Sequence, residues 1–233
     1  MSAYGDVKAP ISDRVLAPMN WPTKNAGVYV TTYHMQLSTA RQLSGLVEYL
    51  NAVFAKVVEE GRTYPQEGEM GSEAFEKYFF AGDVFIGIIN PSESGGSRID
   101  VARGKRSWEE CVAGFYYVSA VLYRVTSSIS MQVKPNYPGR SSHICNAGFV
   151  VPGVHRGAGY GSRLAESYLH YAPRLGYQAS VFNLVYVNNA ASVRLWERLG
   201  FVKAGRIPRA GRLKTQDGSG EEYVDAWVIY KEF

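Results

Sequence analysis

The chain has 233 residues, 46% of them apolar and 20% charged, with 24 Gly and 10 Pro. That length suits one domain or two small ones, and the composition excludes disorder, collagen or coiled coil as a whole-chain reading. Twenty-five basic side chains against 21 acidic ones leave a formal charge of +4. A nucleic-acid-binding domain carries a denser basic stripe, whereas an anionic small ligand is compatible with this balance.

Residues 1–26 mix Pro, Gly and polar residues without a period and read as an N-terminal tail. Residues 27–233 are expected to form a single domain. Asp6, Lys8, Asp13 and Arg14 interrupt any signal-peptide core. No run approaches the ~18 apolar residues of a membrane span, so no membrane partner is expected. Cys111 and Cys145 belong to no CxxC pair, which argues against a disulfide framework or a metal site. They read as buried thiols in a reducing compartment. The expectation is therefore a cytoplasmic protein, with mitochondrial association left open.

Residues 27–35 are β-branched and aromatic and predict a strand. Residues 39–60 predict one long helix, because Leu43, Leu46, Val47, Leu50, Val53, Phe54 and Val57 recur at steps of three and four. Ser38 or Thr39 caps its start and Gly61 ends it. Pro65 disfavours helix at Tyr64. A shorter helix follows Ser72, then a buried strand at 83–89. Residues 90–110 read as a long surface loop. Strands are predicted at 112–117, with an extended stretch to about residue 125, and at 144–151, 179–186, 201–205 and 223–230. Helices are predicted at 157–171 and 190–199. Antiparallel hairpins followed by βαβα units imply an α/β fold with a mixed, mostly antiparallel central sheet flanked by helices.

The sharpest chemical signal is the turn after the strand at 144–151. Gly157, Gly159 and Gly161 open a helix there, leaving backbone N–H groups unobstructed beside Arg156 and Arg163. Such donors, with the helix dipole, suit phosphate oxygens. A dinucleotide fingerprint needs a third glycine where Ser162 stands, and a P-loop needs Gly-Lys-Ser/Thr. On the residues alone the turn is a phosphate cradle or merely a tight turn.

Arg156-Gly157-Ala158-Gly159-Tyr160-Gly161 fits Arg-x-x-Gly-x-Gly, and Asn189-Ala190-Ala191-Ser192 with Trp196 and Gly200-Phe201 follows it in order. Together these resemble the GNAT superfamily of N-acetyltransferases and imply its fold. The resemblance implies acetyl-CoA as co-substrate and no metal. It places Val150, Val151, Arg156, Gly157, Ala158, Gly159, Tyr160, Gly161, Ser162, Asn189 and Ser192 at the cofactor. Gly61-Arg62-Thr63-Tyr64-Pro65-Gln66, Lys134-Pro135-Asn136-Tyr137, Cys145-Asn146-Ala147-Gly148-Phe149 and Phe182-Asn183-Leu184-Val185 further resemble the fungal proline-analogue (azetidine-2-carboxylate) N-acetyltransferases. That resemblance runs over about residues 55–233 and implies a small cyclic secondary amino acid as acceptor and a homodimer.

Acetyl transfer to an amine needs deprotonation, a donor for the oxyanion and a stabilised leaving thiolate. Many members of the superfamily use a Glu as base. The strand before the glycine turn carries Asn146 and no acid, and an amide accepts no proton at neutral pH. The resemblance implies Asn146, Asn183 and Asn189 as the catalytic set, acting by positioning within a ternary complex. His143 is a weaker relay candidate, Tyr137 and Tyr186 are candidate lining aromatics, and Cys145 is not expected to be a nucleophile. An acetyltransferase for another small amine or antibiotic, or a non-catalytic acyl-CoA-binding protein, stays open.

Residues 118–132 read as an insertion, since the family pattern runs from Tyr117 almost directly to Val133. The segment is either an unspliced intron in the gene model or a hairpin extension.

Overall fold

The computed structural model describes residues 15–93, 95–119, 137 and 139–233. In chain order the elements are β1 (Met19–Pro22), β2 (Tyr29–Met35), α1 (Leu37–Ala40), α2 (Leu46–Glu60), α3 (Ser72–Phe79), β3 (Asp83–Asn90), α4 (Ile99–Arg103), α5 (Trp108–Cys111), β4 (Val112–Ser119), β5 (Ile144–Val150), α6 (Tyr160–Arg174), β6 (Ala179–Tyr186), α7 (Ala190–Arg198), β7 (Val202–Lys214) and β8 (Glu221–Glu232). The eight strands form one sheet in the order β1-β2-β3-β4-β5-β6-β8-β7. Every pairing is antiparallel except β5 with β6. This is the mixed, mostly antiparallel architecture expected.

The sheet is buried on both faces, and strand alternation assigns its residues to two cores. Val84, Ile86, Ile88 and Phe115 pack with Leu46, Leu50, Phe54 and Val57 of α2 and with Phe75 and Phe79 of α3. Their neighbours Phe85 and Tyr116 pack instead with Leu164, Tyr168 and Tyr171 of α6 and with Trp196 of α7. Two layers of helix thus sandwich the central strands, which accounts for their near-continuous apolar sequences. Among the described residues no helix is long and apolar enough to cross a membrane.

Several boundaries differ from the sequence expectation. Residues 19–22 are strand, pairing with Tyr29 to Thr32 of β2, so the segment expected as a tail contributes an edge of the sheet. The expected helix at 39–60 is two: Gly45 sits at φ 75° and breaks the run before α2. Its periodicity survived because Leu43 still packs against the same core. The surface loop at 90–110 holds α4 and α5. Ser107 and Glu110 form a capping box before α5, a Ser-x-x-Glu signal the sequence carries openly. β7 runs on to Lys214, well past the expected end at 205, because Gly205 and Gly211 interrupt the pattern where the ladder shifts register; β8 differs from the expected 223–230 only at its ends. Of the expected insertion, Val118 and Ser119 continue β4, opposite Ala147 and Asn146; residues 120–132 lie outside those described.

Candidate active site

The glycine turn is built as the start of a helix without a side-chain cap. β5 ends at Val150, a single 3-10 turn spans Gly153–His155, and Gly157 and Gly159 both adopt φ 83° before α6 begins. Left-handed backbone favours glycine, so α6 starts three residues later than the sequence pattern suggests. Gly159 is the N-cap, with no side-chain cap bond and no acid in the first turn. The first N–H groups of a helix lack intrahelical partners. A Cβ at Gly153, Gly157 or Gly159 would meet nothing within 4 Å, and one at Gly161 would meet only Val151 at 3.8 Å. The result is an open cradle of donors.

Basic side chains surround it. Arg156 Nη1 lies 2.9 Å from Glu60 Oε2 of α2. Arg198 of α7 donates to Ser162 Oγ at 3.0 Å. His155 Nε2 faces the carbonyl oxygen of Glu109 at 2.8 Å, so it carries the proton there. Arg163 turns away, pairing with Glu166 at 2.7 Å and donating to Pro22 O at 3.0 Å.

Beside the cradle the sheet opens. β5 and β6 pair only at Ile144 with Ala179 and at Cys145 with Ser180. Beyond that rung β5 stays on β4 and β6 stays on β8, leaving a cleft of about 920 Å³. Asn146 lines it from β5, its Oδ1 accepting the Ala147 N–H at 2.8 Å. Asn183 lines it from β6. It sits in a bulge where Asn183 and Leu184 intervene between the rungs Phe182–Ile229 and Val185–Trp227, while β8 supplies only Val228. Such an extra residue redirects the side chains it carries. Asn189 also lines the cleft, but its Oδ1 accepts the Ser192 N–H at 3.1 Å and so N-caps α7. Ser192 Oγ in turn accepts from Trp196 Nε1 at 3.1 Å. Val150, Val151, Tyr160 and Ser162 join the same lining; Ala158 is exposed and is not part of it.

The opposite wall was not legible in advance. It comes from Tyr64 in the loop between α2 and α3, Tyr78 of α3 and Tyr117 of β4. Tyr64 donates to Phe149 O at 3.3 Å, and the hydroxyls of Tyr78 and Tyr117 lie 2.9 Å apart. Gly148 is bare because a Cβ there would come within 2.5 Å of Tyr117 and 2.7 Å of Tyr64. Burial pushes the Tyr64 phenol well above its ordinary range and also raises Tyr78 and Tyr186. At neutral pH these groups are donors, not bases. Tyr186 lines the cleft as expected, whereas His143 and Tyr137 are not among the lining residues.

The charges of the lining are Glu60 against Arg62, Arg156, Arg194 and Arg198, with His155. Among the described lining residues Glu60 is the one carboxylate. Cys145 takes no part: it is buried, and its Sγ lies 3.0 Å from Tyr168 Oη. Tyr168 spends its proton on Ser180 Oγ at 2.6 Å, so the thiol is the donor to Tyr168. Burial pushes that thiol up to about 12.

Comparison with known proteins agrees with this geometry. Residues 98–201 match the family model described as Acetyltransferase (GNAT) family. The chain is 42% identical over 176 residues to the N-acetyltransferase aca1 of Schizosaccharomyces pombe, covering 76% of this chain and 75% of that protein. A GCN5-related N-acetyltransferase from Kribbella flavida superposes with a TM-score of 0.62 at 21% identity, over 88% of this chain and 98% of that one. The phosphinothricin acetyltransferase Pat of Sinorhizobium meliloti, solved in complex with AcCoA, gives 0.57 at 13% identity, over 88% of each chain. Cradle, cleft and relatives together place the chain in the GNAT family of acetyltransferases.

Proposed function

We propose that the protein transfers the acetyl group of acetyl-CoA to a small cyclic secondary amino acid, such as azetidine-2-carboxylate or another proline analogue or intermediate, by direct attack in a ternary complex. The observation that carries this reading is the joining of the open N terminus of α6 to a splayed β5–β6 cleft holding Asn146 and Asn183. The relative named N-acetyltransferase aca1 supports the reaction class, and the AcCoA complex of the Sinorhizobium meliloti enzyme supports the donor.

The residues present fit the donor. The uncapped N–H groups at the start of α6, the Cβ-free surface of Gly157 and Gly159, and Arg156 and Arg198 form an anion cradle suited to a pyrophosphate. When bound, acetyl-CoA supplies an activated thioester. The chain's own contribution is positioning: the amides of Asn146 and Asn183 orient the acceptor, and orientation alone is worth ~7–11 kcal/mol of barrier. Tyr64, Tyr78 and Tyr117 form the acceptor wall, and burial keeps the phenols of Tyr64 and Tyr78 protonated. With the Glu60 carboxylate turned to Arg156, the ammonium proton leaves to water in the cleft. The reading includes a homodimer and a cytoplasmic location.

The test is acetyl-CoA consumption by the purified protein over azetidine-2-carboxylate, proline analogues, polyamines and amine-bearing antibiotics. Turnover on the cyclic amino acids is expected. Turnover confined to polyamines or antibiotics overturns the acceptor assignment. Binding of acetyl-CoA with no turnover on any amine makes the protein an acyl-CoA binder.

A further inference from the structure

Glu60 is out of place by ordinary helix electrostatics. The last turn of α2 carries Glu59 and Glu60 and no basic residue. A carboxylate at a helix C terminus faces the negative end of the dipole and is disfavoured there. The compensating cations come from distant chain: Lys214 Nζ donates to Glu59 O at 2.8 Å, and Arg156 pairs with Glu60. The sequence thus sets an acid where the helix least tolerates one and directs it at the arginine of the glycine loop.

The surroundings make that choice consequential. Glu60 opposes four lining arginines, and its partner Arg156 immediately precedes Gly157 of the cradle. The pair is partly exposed, at 47% for the Arg156 side chain and 29% for Glu60. Among the described residues the guanidinium also makes a long Nε–H bond to Val151 O at 3.4 Å. The guanidinium is therefore held chiefly by Glu60. An incoming phosphate and this carboxylate compete for the same donors.

We propose that Glu60 is a built-in competitor for Arg156. Its carboxylate holds the guanidinium while no phosphate is at the α6 N terminus, yields it to a pyrophosphate, and recaptures it as coenzyme A leaves. This rests on the reading above that the cradle takes the coenzyme's pyrophosphate. The physical reason is that acetyl-CoA and coenzyme A carry the same pyrophosphate. Arginine contacts to it hold product as firmly as substrate, and such uniform binding does nothing for the chemical step. An internal anion that rebinds Arg156 shortens the residence of the product, the step that limits turnover in many efficient enzymes.

The experiment is titration calorimetry of coenzyme A with the full-length parent, Glu60→Gln, Glu60→Asp, Arg156→Gln and the Glu60→Gln/Arg156→Gln double variant. Coenzyme A dissociation rates are measured by stopped flow. Glu60→Gln is expected to tighten Kd by about two- to fivefold, the scale of a partly exposed ion pair, with a matching fall in the dissociation rate. In the Arg156→Gln background the gain from Glu60→Gln should vanish. Glu60→Asp, with its carboxylate drawn back by one methylene, should fall between parent and Glu60→Gln. Pantetheine, which lacks the pyrophosphate, should bind parent and Glu60→Gln alike. Unchanged or weaker coenzyme A binding in Glu60→Gln overturns the proposal and makes Glu60 a mere support for Arg156. A parent that binds no coenzyme A overturns the donor reading as well, so the two failures are distinguishable.

Discussion

Cys145 of β5 pairs with Ser180 of β6, and one residue further on the strands part. Because β5 keeps its partner β4 and β6 keeps its partner β8, parting leaves backbone edges of both strands facing a cleft. Asn146 follows that last rung, and Asn183 is set in the cleft by the bulge on the other strand. The asparagines therefore stand on the two strands that border the opening, Asn146 next to the last rung and Asn183 further along β6.

Replacing either amide should damage turnover more than affinity. Asn146→Ala and Asn183→Ala are expected to lower kcat by about a hundredfold, the low end of the range for removing one positioned donor. Steady-state kinetics at saturating acetyl-CoA checks this. A raised KM with unchanged kcat would remove that residue from the chemistry and leave it a binding contact.

Asn189 should behave differently, because its Oδ1 is already the cap of α7. Asn189→Ala is expected to lose about 1 kcal/mol of stability, and Asn189→Asp to retain most of it, as N-caps generally do. Urea unfolding of the three proteins measures the difference. Equal midpoints for the parent and Asn189→Ala would show that the cap bond contributes nothing.

Gly148→Ala tests the acceptor wall. The added methyl meets Tyr117 and Tyr64 at 2.5 and 2.7 Å, so overpacking of about 1–3 kcal/mol is expected. The same displacement should raise KM for the acceptor while leaving coenzyme A affinity nearly unchanged. Calorimetry with coenzyme A alongside acceptor kinetics separates the two ends of the cleft.

The thiols should be silent in the folded protein. Burial raises the Cys111 thiol and pushes that of Cys145 up to about 12, and both side chains are buried. An aromatic disulfide reagent at pH 8 is expected to label neither residue quickly, and to label both in denaturant. Rapid labelling of Cys145 in the native state would contradict its bond to Tyr168.

A pH effect is expected in the turn joining β7 and β8. Asp217 Oδ1 accepts from Thr215 Oγ1 at 2.7 Å, Ser219 Oγ at 2.8 Å and Ser219 N at 3.1 Å. The Thr215 hydroxyl, then the Ser219 backbone and hydroxyl donors, hold its carboxyl down at about 2. A depressed folded pKa gives stability that is present above the ordinary carboxylate range near 3.9 and lost as pH falls toward 2. Asp217→Asn should therefore melt lower than the parent at pH 7, and the gap should close between about pH 4 and 2.

What the sequence discloses depends on how local the cause is. The glycine cradle is local: Gly157 and Gly159 need left-handed backbone, and that need is written in the residues themselves. Asn146 and Asn183 became visible only through family resemblance, because the bulge that aims Asn183 is a relation between β6 and β8. The break at Gly45 was hidden, since Leu43 and Leu46 keep helical spacing across it. β1 was hidden for the opposite reason: Met19–Pro22 is short, lies at the sheet edge and shows no alternation. The wall of Tyr64, Tyr78 and Tyr117 is assembled from three separate elements, and no single stretch announces it. The pairing of Glu60 with Arg156 joins the end of α2 to the glycine turn, a contact between distant segments that neither stretch carries by itself.

The end of α2 and the loop after it are fastened from three directions. Tyr64 reaches Phe149 of β5, Glu60 reaches Arg156 of the glycine turn, and Glu67 reaches Arg212 of β7 at 3.1 Å. Lys214 adds a fourth tie, its N–H meeting Gly61 O at 2.9 Å. None of the residues at the β7 end of these ties lines the cleft. Acceptor preference is thus open to change by substitutions in the C-terminal hairpin, which would retune the pocket's shape while every side chain that meets the substrate stays the same.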